Sequence, residues 1–358
     1  DDAEKAVRLW LELDPASPHA RQLKISLLLE RGKLDEARPY IAALLAEEGD
    51  KTGVSLVQLY LMLARLPDRE GALRLMTDLT RPYPGIAESH WTVAQLAEAA
   101  DKEDLALAEA RQAMALRPGW DKPVMLAVQL LQRTQLQEAL DLLGKYVKAY
   151  PEAKDVRLMY ARLLMDKKRY PEAREQFQSL MEAYPDRPEL SFTLGLLSLE
   201  LGDWVQAETE FRKSLDDGKK DRDAVYYFLG QAYEAQKQNE EALRYYRNVT
   251  EGDYVFQANL RAAYLLGKTG QLEEGRQVLR GAKSRDVAQR AQLVMAEAQI
   301  LREANQREEA WQVLNRGLEN MPDQPELLYD AAMLADQTGR HEIFEKLMRR
   351  LIEIKPEY

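Results

Sequence analysis

Residues 188–221 read PELSFTLGLLSLELGDWVQAETEFRKSLDDGKKD. Phe192, Leu194-Gly195 and Leu201 mark one helix, Gly202-Asp203 turns the chain, and Trp204, Ala207 and Phe211 mark a second helix. Glycine at the turn suits a residue in the left-handed region just past a helix end. The next copy follows the same plan with Tyr226, Leu229-Gly230, Tyr233, Ala242 and Tyr246, and its turn is read at Gln238-Asn239.

Working outward, the small residue of the second helix recurs along the whole chain. Ala3, Ala37, Ala72, Ala106, Ala139, Ala173, Ala207, Ala242, Gly275, Ala310 and Phe344 follow one another at intervals of 33 to 35 residues. Twelve positions after seven of them stands a proline: Pro15, Pro84, Pro118, Pro151, Pro185, Pro322 and Pro356. Twelve positions before them stand Ala94, Ala127, Ala161, Gly195, Gly230, Ala263, Ala298 and Ala332, with Ile25 and Tyr60 as exceptions. A small residue in each of two helices lets their backbones approach, and proline stops the second helix because it lacks an N–H and clashes with the preceding turn. Each unit is therefore helix A, short turn, helix B, then a break.

These residues resemble the tetratricopeptide repeat, a 34-residue helix-turn-helix unit with an aromatic, Leu-Gly, Tyr, Ala, Phe, Ala and Pro at set positions. Phe177, Phe211 and Tyr246 match the aromatic of helix B, and Leu143, Leu279, Leu314 and Met348 fill that place with aliphatics. Gly275 and Phe344 depart at the alanine position, so their helix pairs are expected to pack differently. The resemblance implies an all-α fold, a right-handed superhelical solenoid whose concave face is lined by helix A. Residues 1–358 would form a single solenoid, a half repeat at 1–17 followed by about ten full helix pairs over 18–358.

Asp1-Asp2-Ala3 falls inside a helix B, and Pro356-Glu357-Tyr358 stands where another helix A would start. Ile343, Leu347, Leu351, Ile352 and Ile354 make the last helix broadly apolar, whereas a solenoid end normally carries a polar outer face. The expectation is an excerpt of a longer chain.

Lys and Arg number 50 against 60 Asp and Glu, a net charge of -10, so no chain-wide basic field exists to neutralise phosphates and nucleic acid is not an expected partner. The mixed-sign run from Asp216 to Asp223 reads as a solvated loop between repeats. Cysteine is absent, which removes disulfides, thiolate metal sites and a cysteine nucleophile. Neither His19, His90 nor His341 has a second histidine at metal-ligand spacing, and no phosphate loop, nucleophile elbow or dinucleotide fingerprint occurs. Glu240-Glu241 and Glu308-Glu309 sit at the start of helix B, where carboxylates favour the positive end of the macrodipole. No catalytic residue, cofactor or metal site is expected, and the chain reads as non-catalytic.

Function is then expected on the helix A surface. At its fifth position stand Gln22, Val57, Trp91, Val124, Leu158, Phe192, Tyr227, Leu260, Met295 and Tyr329, four of them aromatic and none charged. At the ninth stand Ser26, Leu61, Gln95, Val128, Arg162, Leu196, Gln231, Tyr264, Gln299 and Met333. The expected partner-binding set is Trp91, Gln95, Phe192, Tyr227, Gln231, Tyr264, Gln299, Tyr329 and Met333: apolar anchors for a polypeptide with amides to pair its backbone. The other reading of a fifth-position ring is that it packs against the next helix A and is core. Tetratricopeptide co-chaperones that grip acidic chaperone tails have lysine and asparagine at these positions, and this chain resembles them in neither.

Leu11-Glu-Leu-Asp-Pro15, Arg157-Leu-Met-Tyr-Ala-Arg-Leu-Leu164, Arg169-Tyr-Pro-Glu-Ala173, Glu189-Leu-Ser-Phe-Thr-Leu-Gly195 and Glu326-Leu-Leu-Tyr329 carry a further resemblance. They look similar to proteobacterial outer-membrane lipoprotein adaptors that bind a periplasmic carboxyl-terminal processing protease and bring it cell-wall hydrolases. That resemblance implies a periplasmic adaptor held at the outer membrane by an N-terminal lipid anchor outside this segment. A scaffold of an exopolysaccharide export or envelope-assembly machine, a substrate-docking arm of an enzyme in the flanks, and a cytoplasmic location stay open.

Overall fold

The computed structural model describes residues 2–14 and 17–357, with side chains from Lys5 onward; the Ala3 side chain, Pro15 and Tyr358 lie outside the described residues. Among the described residues there is no strand, and α1 (Asp2–Leu13) is followed by ten helix pairs. The first five are α2 (Pro18–Glu30) with α3 (Leu34–Glu47), α4 (Thr52–Leu63) with α5 (Arg69–Thr80), α6 (Ala87–Ala99) with α7 (Glu103–Leu116), α8 (Asp121–Thr134) with α9 (Leu136–Ala149), and α10 (Lys154–Asp166) with α11 (Tyr170–Ala183). The next three are α12 (Pro188–Glu200) with α13 (Trp204–Asp216), α14 (Arg222–Ala235) with α15 (Asn239–Arg247), and α16 (Val255–Lys268) with α17 (Leu272–Gly281). The last are α18 (Val287–Glu303) with α19 (Arg307–Asn320), and α20 (Pro325–Gln337) with α21 (His341–Ile354). Packing divides the chain into two compact units, Asp1–Gln176 and Phe177–Tyr358.

The periodic small residues are where the helices of a pair meet. Ala37, Ala72, Ala106 and Ala139 in the first unit, and Ala207, Ala242 and Ala310 in the second, have 0% exposure. Their helix A counterparts Ala94, Ala127, Ala263, Ala298 and Ala332 are equally sealed. A larger side chain at either place would push the two backbones apart.

Two pairs of the second unit go further and match a glycine in helix A to a ring in helix B. A Cβ on Gly195 would lie 2.5 Å from the Phe211 ring, and one on Gly230 would lie 2.5 Å from the Tyr246 ring. Opposite Ala263, Ala298 and Ala332 helix B has Leu279, Leu314 and Met348, although opposite Ala161 it keeps an aromatic, Phe177. The volume removed from one helix is thus filled by the other, as dense packing requires. Gly275 answers a different contact: a Cβ there would lie 2.9 Å from the Ala263 carbonyl oxygen, so α17 stands close to α16.

The turn inside eight of the ten pairs is also periodic. Gly32, Gly202, Gly270 and Gly339 have φ between 68° and 83°, and Asp101, Lys168, Lys237 and Asn305 occupy the same place with φ between 57° and 62°. In the second copy the left-handed residue is therefore Lys237, not the expected Gln238-Asn239, because Asn239 already begins α15. At Lys168 the closing bonds are Lys168 N–H to the Met165 carbonyl at 2.9 Å and Arg169 N–H to the Leu164 carbonyl at 2.9 Å, the double bond of a Schellman end. A non-glycine residue there carries a steric cost of about 1–2 kcal/mol. Lys168→Gly is expected to raise stability by up to about 1 kcal/mol after the entropy of glycine is set against it, measurable as a higher urea midpoint.

Helix B ends where the prolines stand: α7 stops at Leu116 before Pro118, α9 at Ala149 before Pro151 and α19 at Asn320 before Pro322. The charged run 217–221 is the loop between α13 and α14, and Asp221 caps α14 by accepting from Ala224 N–H at 3.1 Å. No helix among the described residues is long and apolar enough to cross a membrane.

Candidate functional site

In the first unit, Trp91 of α6 is 6% exposed. Tyr60 of α4 meets its ring edge-on at 5.3 Å, Trp120 lies 5.5 Å away on the approach to α8, and the Lys122 ammonium stands 5.2 Å from it. Gln95, one turn on, accepts the Tyr60 hydroxyl at 3.0 Å. The two expected contact residues of this unit are thus built into the packing of one helix A against the next. With this little exposure the Trp91 ring offers a ligand almost no area in this arrangement, which is the core alternative for a fifth-position ring.

In the second unit, Tyr227 of α14 is 8% exposed and stacks on Tyr254 at 4.8 Å, with Phe228 and Tyr246 around it. Gln231 donates to the Tyr227 hydroxyl at 2.9 Å. Phe192 of α12 is half-buried against Phe211 and Phe228, both at 5.7 Å, and the Lys219 ammonium covers it at 5.0 Å. Here too the fifth-position ring is core for Tyr227, and for Phe192 it is shared between core and surface.

The remaining candidates behave differently. Leu260 and Tyr264 of α16, Met295 and Gln299 of α18, and Tyr329 of α20 line one open cleft of about 910 Å³. These are the fifth and ninth positions of three successive A helices, and an i, i+4 spacing puts both on one face of each helix. Tyr329 is 41% exposed, Gln299 is exposed and Tyr264 half-buried. Met333 is half-buried on α20 and does not line the cleft. Beside the cleft α16 and α18 approach closely at Gly267, where an added Cβ would lie 3.0 Å from the Ile300 side chain.

Charge frames the cleft at both ends. At one end Glu234 of α14 is held by Arg261 of α16, which donates from Nε at 3.0 Å and from a terminal nitrogen to the other oxygen, while the Tyr246 hydroxyl donates at 2.8 Å. Burial weakens the Arg261 charge, but Glu234 outweighs it and holds the guanidinium above its ordinary value. Burial and then Glu234 push the Tyr246 hydroxyl up, so it stays a donor. At the other end Arg302 of α18 donates to Asp330 of α20 at 2.5 Å.

The fifth- and ninth-position lists miss these four charges. Each pair joins the twelfth position of one helix A to the sixth of the next, 27 residues apart for Glu234 and Arg261 and 28 for Arg302 and Asp330. Opposite charges at that separation were visible in the sequence. Among the described residues no group of three or more His, Asp or Glu is placed to hold a metal ion. His90 has its ring nitrogens on Glu109 at 2.6 Å and the Pro84 carbonyl at 2.9 Å.

Three family models, each described as a tetratricopeptide repeat, match residues 130–197, 192–254 and 325–358. The matched stretches are thus tetratricopeptide repeats, and the fold is all-α and built of stacked helix pairs. It is 32% identical over 350 residues to the TPR repeat-containing protein PA4667 of Pseudomonas aeruginosa, a match that takes in 98% of this chain and 59% of that protein. The chain therefore spans somewhat over half the length of that relative. Among solved structures it is similar to YrrB, described as a TPR protein with an unusual peptide-binding site, at 18% identity and a TM-score of 0.42 over 55% of this chain and 97% of that one. A tetratricopeptide repeat protein of Parabacteroides merdae is similar at 15% identity and a TM-score of 0.44, over 69% and 98% of the two chains.

Proposed function

We propose that the chain is a non-catalytic adaptor that takes a polypeptide partner in the cleft of α16, α18 and α20. The observation that carries this reading is the cleft itself: an exposed tyrosine, a second tyrosine, a methionine and a leucine alternate with the amides of Gln292 and Gln299 over about 910 Å³. Apolar anchors beside amide donors and acceptors are what an extended backbone with protruding side chains needs. The Glu234–Arg261 and Arg302–Asp330 pairs fix four of the cleft's charges in place, and its tyrosines and amides are the groups that meet the partner's backbone.

We further propose that the adaptor works in the cell envelope, recruiting a periplasmic carboxyl-terminal processing protease together with cell-wall hydrolases that it degrades. Support comes from the stretches at Arg157–Leu164, Glu189–Gly195 and Glu326–Tyr329, and the similarity to a longer repeat protein of Pseudomonas aeruginosa is in keeping with it.

The test is affinity capture from envelope extracts with the chain and with a Tyr264→Ala/Tyr329→Ala variant, read by mass spectrometry. Truncating an interface aromatic costs about 2 kcal/mol or more where it is a hot spot, so recovery of the protease and hydrolases should fall at least about tenfold. Equal recovery by the variant would remove the cleft from the interaction. Recovery of neither protein by the unmodified chain would remove the proteolytic assignment.

A further inference from the structure

The eighth helix pair is irregular, and its irregularity opens a second surface. α17 has 10 residues against 14 for α19, and α18 has 17. After Gly281 the chain turns extended at Ala282, with ψ 132°, and residues 283–286 lead into α18. Past the end of α17 one face of α18 lines an open cleft of about 560 Å³. Leu293, Val313 and Met321 form its apolar floor, and Arg280, Arg290 and Arg316 stand around it. Gly317 keeps the floor close: a Cβ there would lie 2.7 Å from Val294.

The charge of this cleft is unbalanced. Glu297, the carboxylate among its lining residues, is 10% exposed and already accepts from Arg276 at 3.0 Å and from Arg280 at 2.6 Å. Arg290 and Arg316 are exposed, and among the described residues neither has an ion pair. Two guanidiniums without counter-ions beside an apolar floor, in a chain of net charge -10, present a local surface complementary to carboxylates. Guanidinium takes a carboxylate through two parallel bonds, which fixes the orientation of the bound segment as well as its charge.

We propose that this cleft docks an acidic polypeptide segment in which an apolar side chain stands beside one or two carboxylates. The apolar residue enters between α17 and α19, and the carboxylates meet Arg290 and Arg316. Successive residues of a helix are about 100° apart, so Arg290, Leu293 and Glu297 lie roughly opposite Gln292, Met295 and Gln299 on α18. The helix then serves a different docking surface on each side, and this second one stands whichever partner fills the tyrosine cleft.

The test is a fluorescence-anisotropy titration of the full chain against fluorescein-labelled peptides that pair glutamate or aspartate with leucine, phenylalanine or valine in a glycine-serine background. Members of the set should bind, their glutamine or asparagine counterparts should bind at least about tenfold more weakly, and Arg290→Gln/Arg316→Gln should lose at least about tenfold while its thermal midpoint is unchanged. The Tyr264→Ala/Tyr329→Ala variant should bind these peptides as the unmodified chain does. Binding by no member of the set, binding indifferent to the two arginines, or loss of binding in the tyrosine variant would overturn the proposal. So would tighter binding of inorganic tripolyphosphate than of every peptide, which would make the cleft a phosphate site.

Discussion

Phe211→Ala is expected to cost about 3–5 kcal/mol, the range for deleting a sealed aromatic side chain from a core. The ring has 0% exposure and stands against the bare face of Gly195, with Phe192 and Phe228 within 6 Å as centroid distances of 5.7 and 5.9 Å. The reciprocal change should also destabilise: Gly195→Ala forces a methyl to within 2.5 Å of the ring, an overpacking that typically costs about 1–3 kcal/mol. Combining Gly195→Ala with Phe211→Leu rebuilds the alanine-leucine match of Ala298 and Leu314, so the double variant should be more stable than the sum of the single losses predicts. Urea unfolding followed by amide exchange in α12 and α13 reads these effects locally, which a chain of stacked repeats requires because it need not unfold in one step. Additive losses would show that the two residues do not fill one space.

Trp91→Ala is expected to have a loss of similar size, about 3–5 kcal/mol, because its indole is 6% exposed between Tyr60 and Trp120. Tyr329→Ala, at a ring 41% exposed, should change stability by no more than about 0.5 kcal/mol. Both residues hold the fifth position of a helix A, so the contrast measures how far one sequence position can differ in role between repeats. Near-equal unfolding midpoints for the two variants would mean that Trp91 is not core. Amide exchange in α6, compared between Trp91→Ala and the unmodified chain, locates the loss.

The fold was largely legible because its marks are local: small residues where two helices touch, left-handed residues five positions before them, and prolines past the end of helix B. Only the turn at Lys237 was placed a residue or two late, since lysine does not announce a positive φ as glycine does. The candidate site was legible in part. Periodicity tells which face of α6 or α14 a ring occupies, but not how near the following helix A stands, and that distance decides whether Trp91 and Tyr227 are core while Tyr264 and Tyr329 line a cleft. The arginine cleft depends on where α17 stops. Its trace in the sequence is Gly281 at the early helix end, since the missing proline at Val287 is shared with repeats whose helix B, such as α3 and α13, runs to full length.

The claim that the chain works by holding a polypeptide over α16, α18 and α20 is tested most directly by site-specific photo-crosslinking in living cells. A benzophenone amino acid in place of Tyr264 is close in shape to the ring it replaces, and the same group in place of Val205, 66% exposed on α13, serves as the control. The predicted result is a defined protein adduct from position 264 that is absent from position 205 and is lost when Tyr329→Ala is added. No adduct at 264, or the same adducts at both positions, would contradict it.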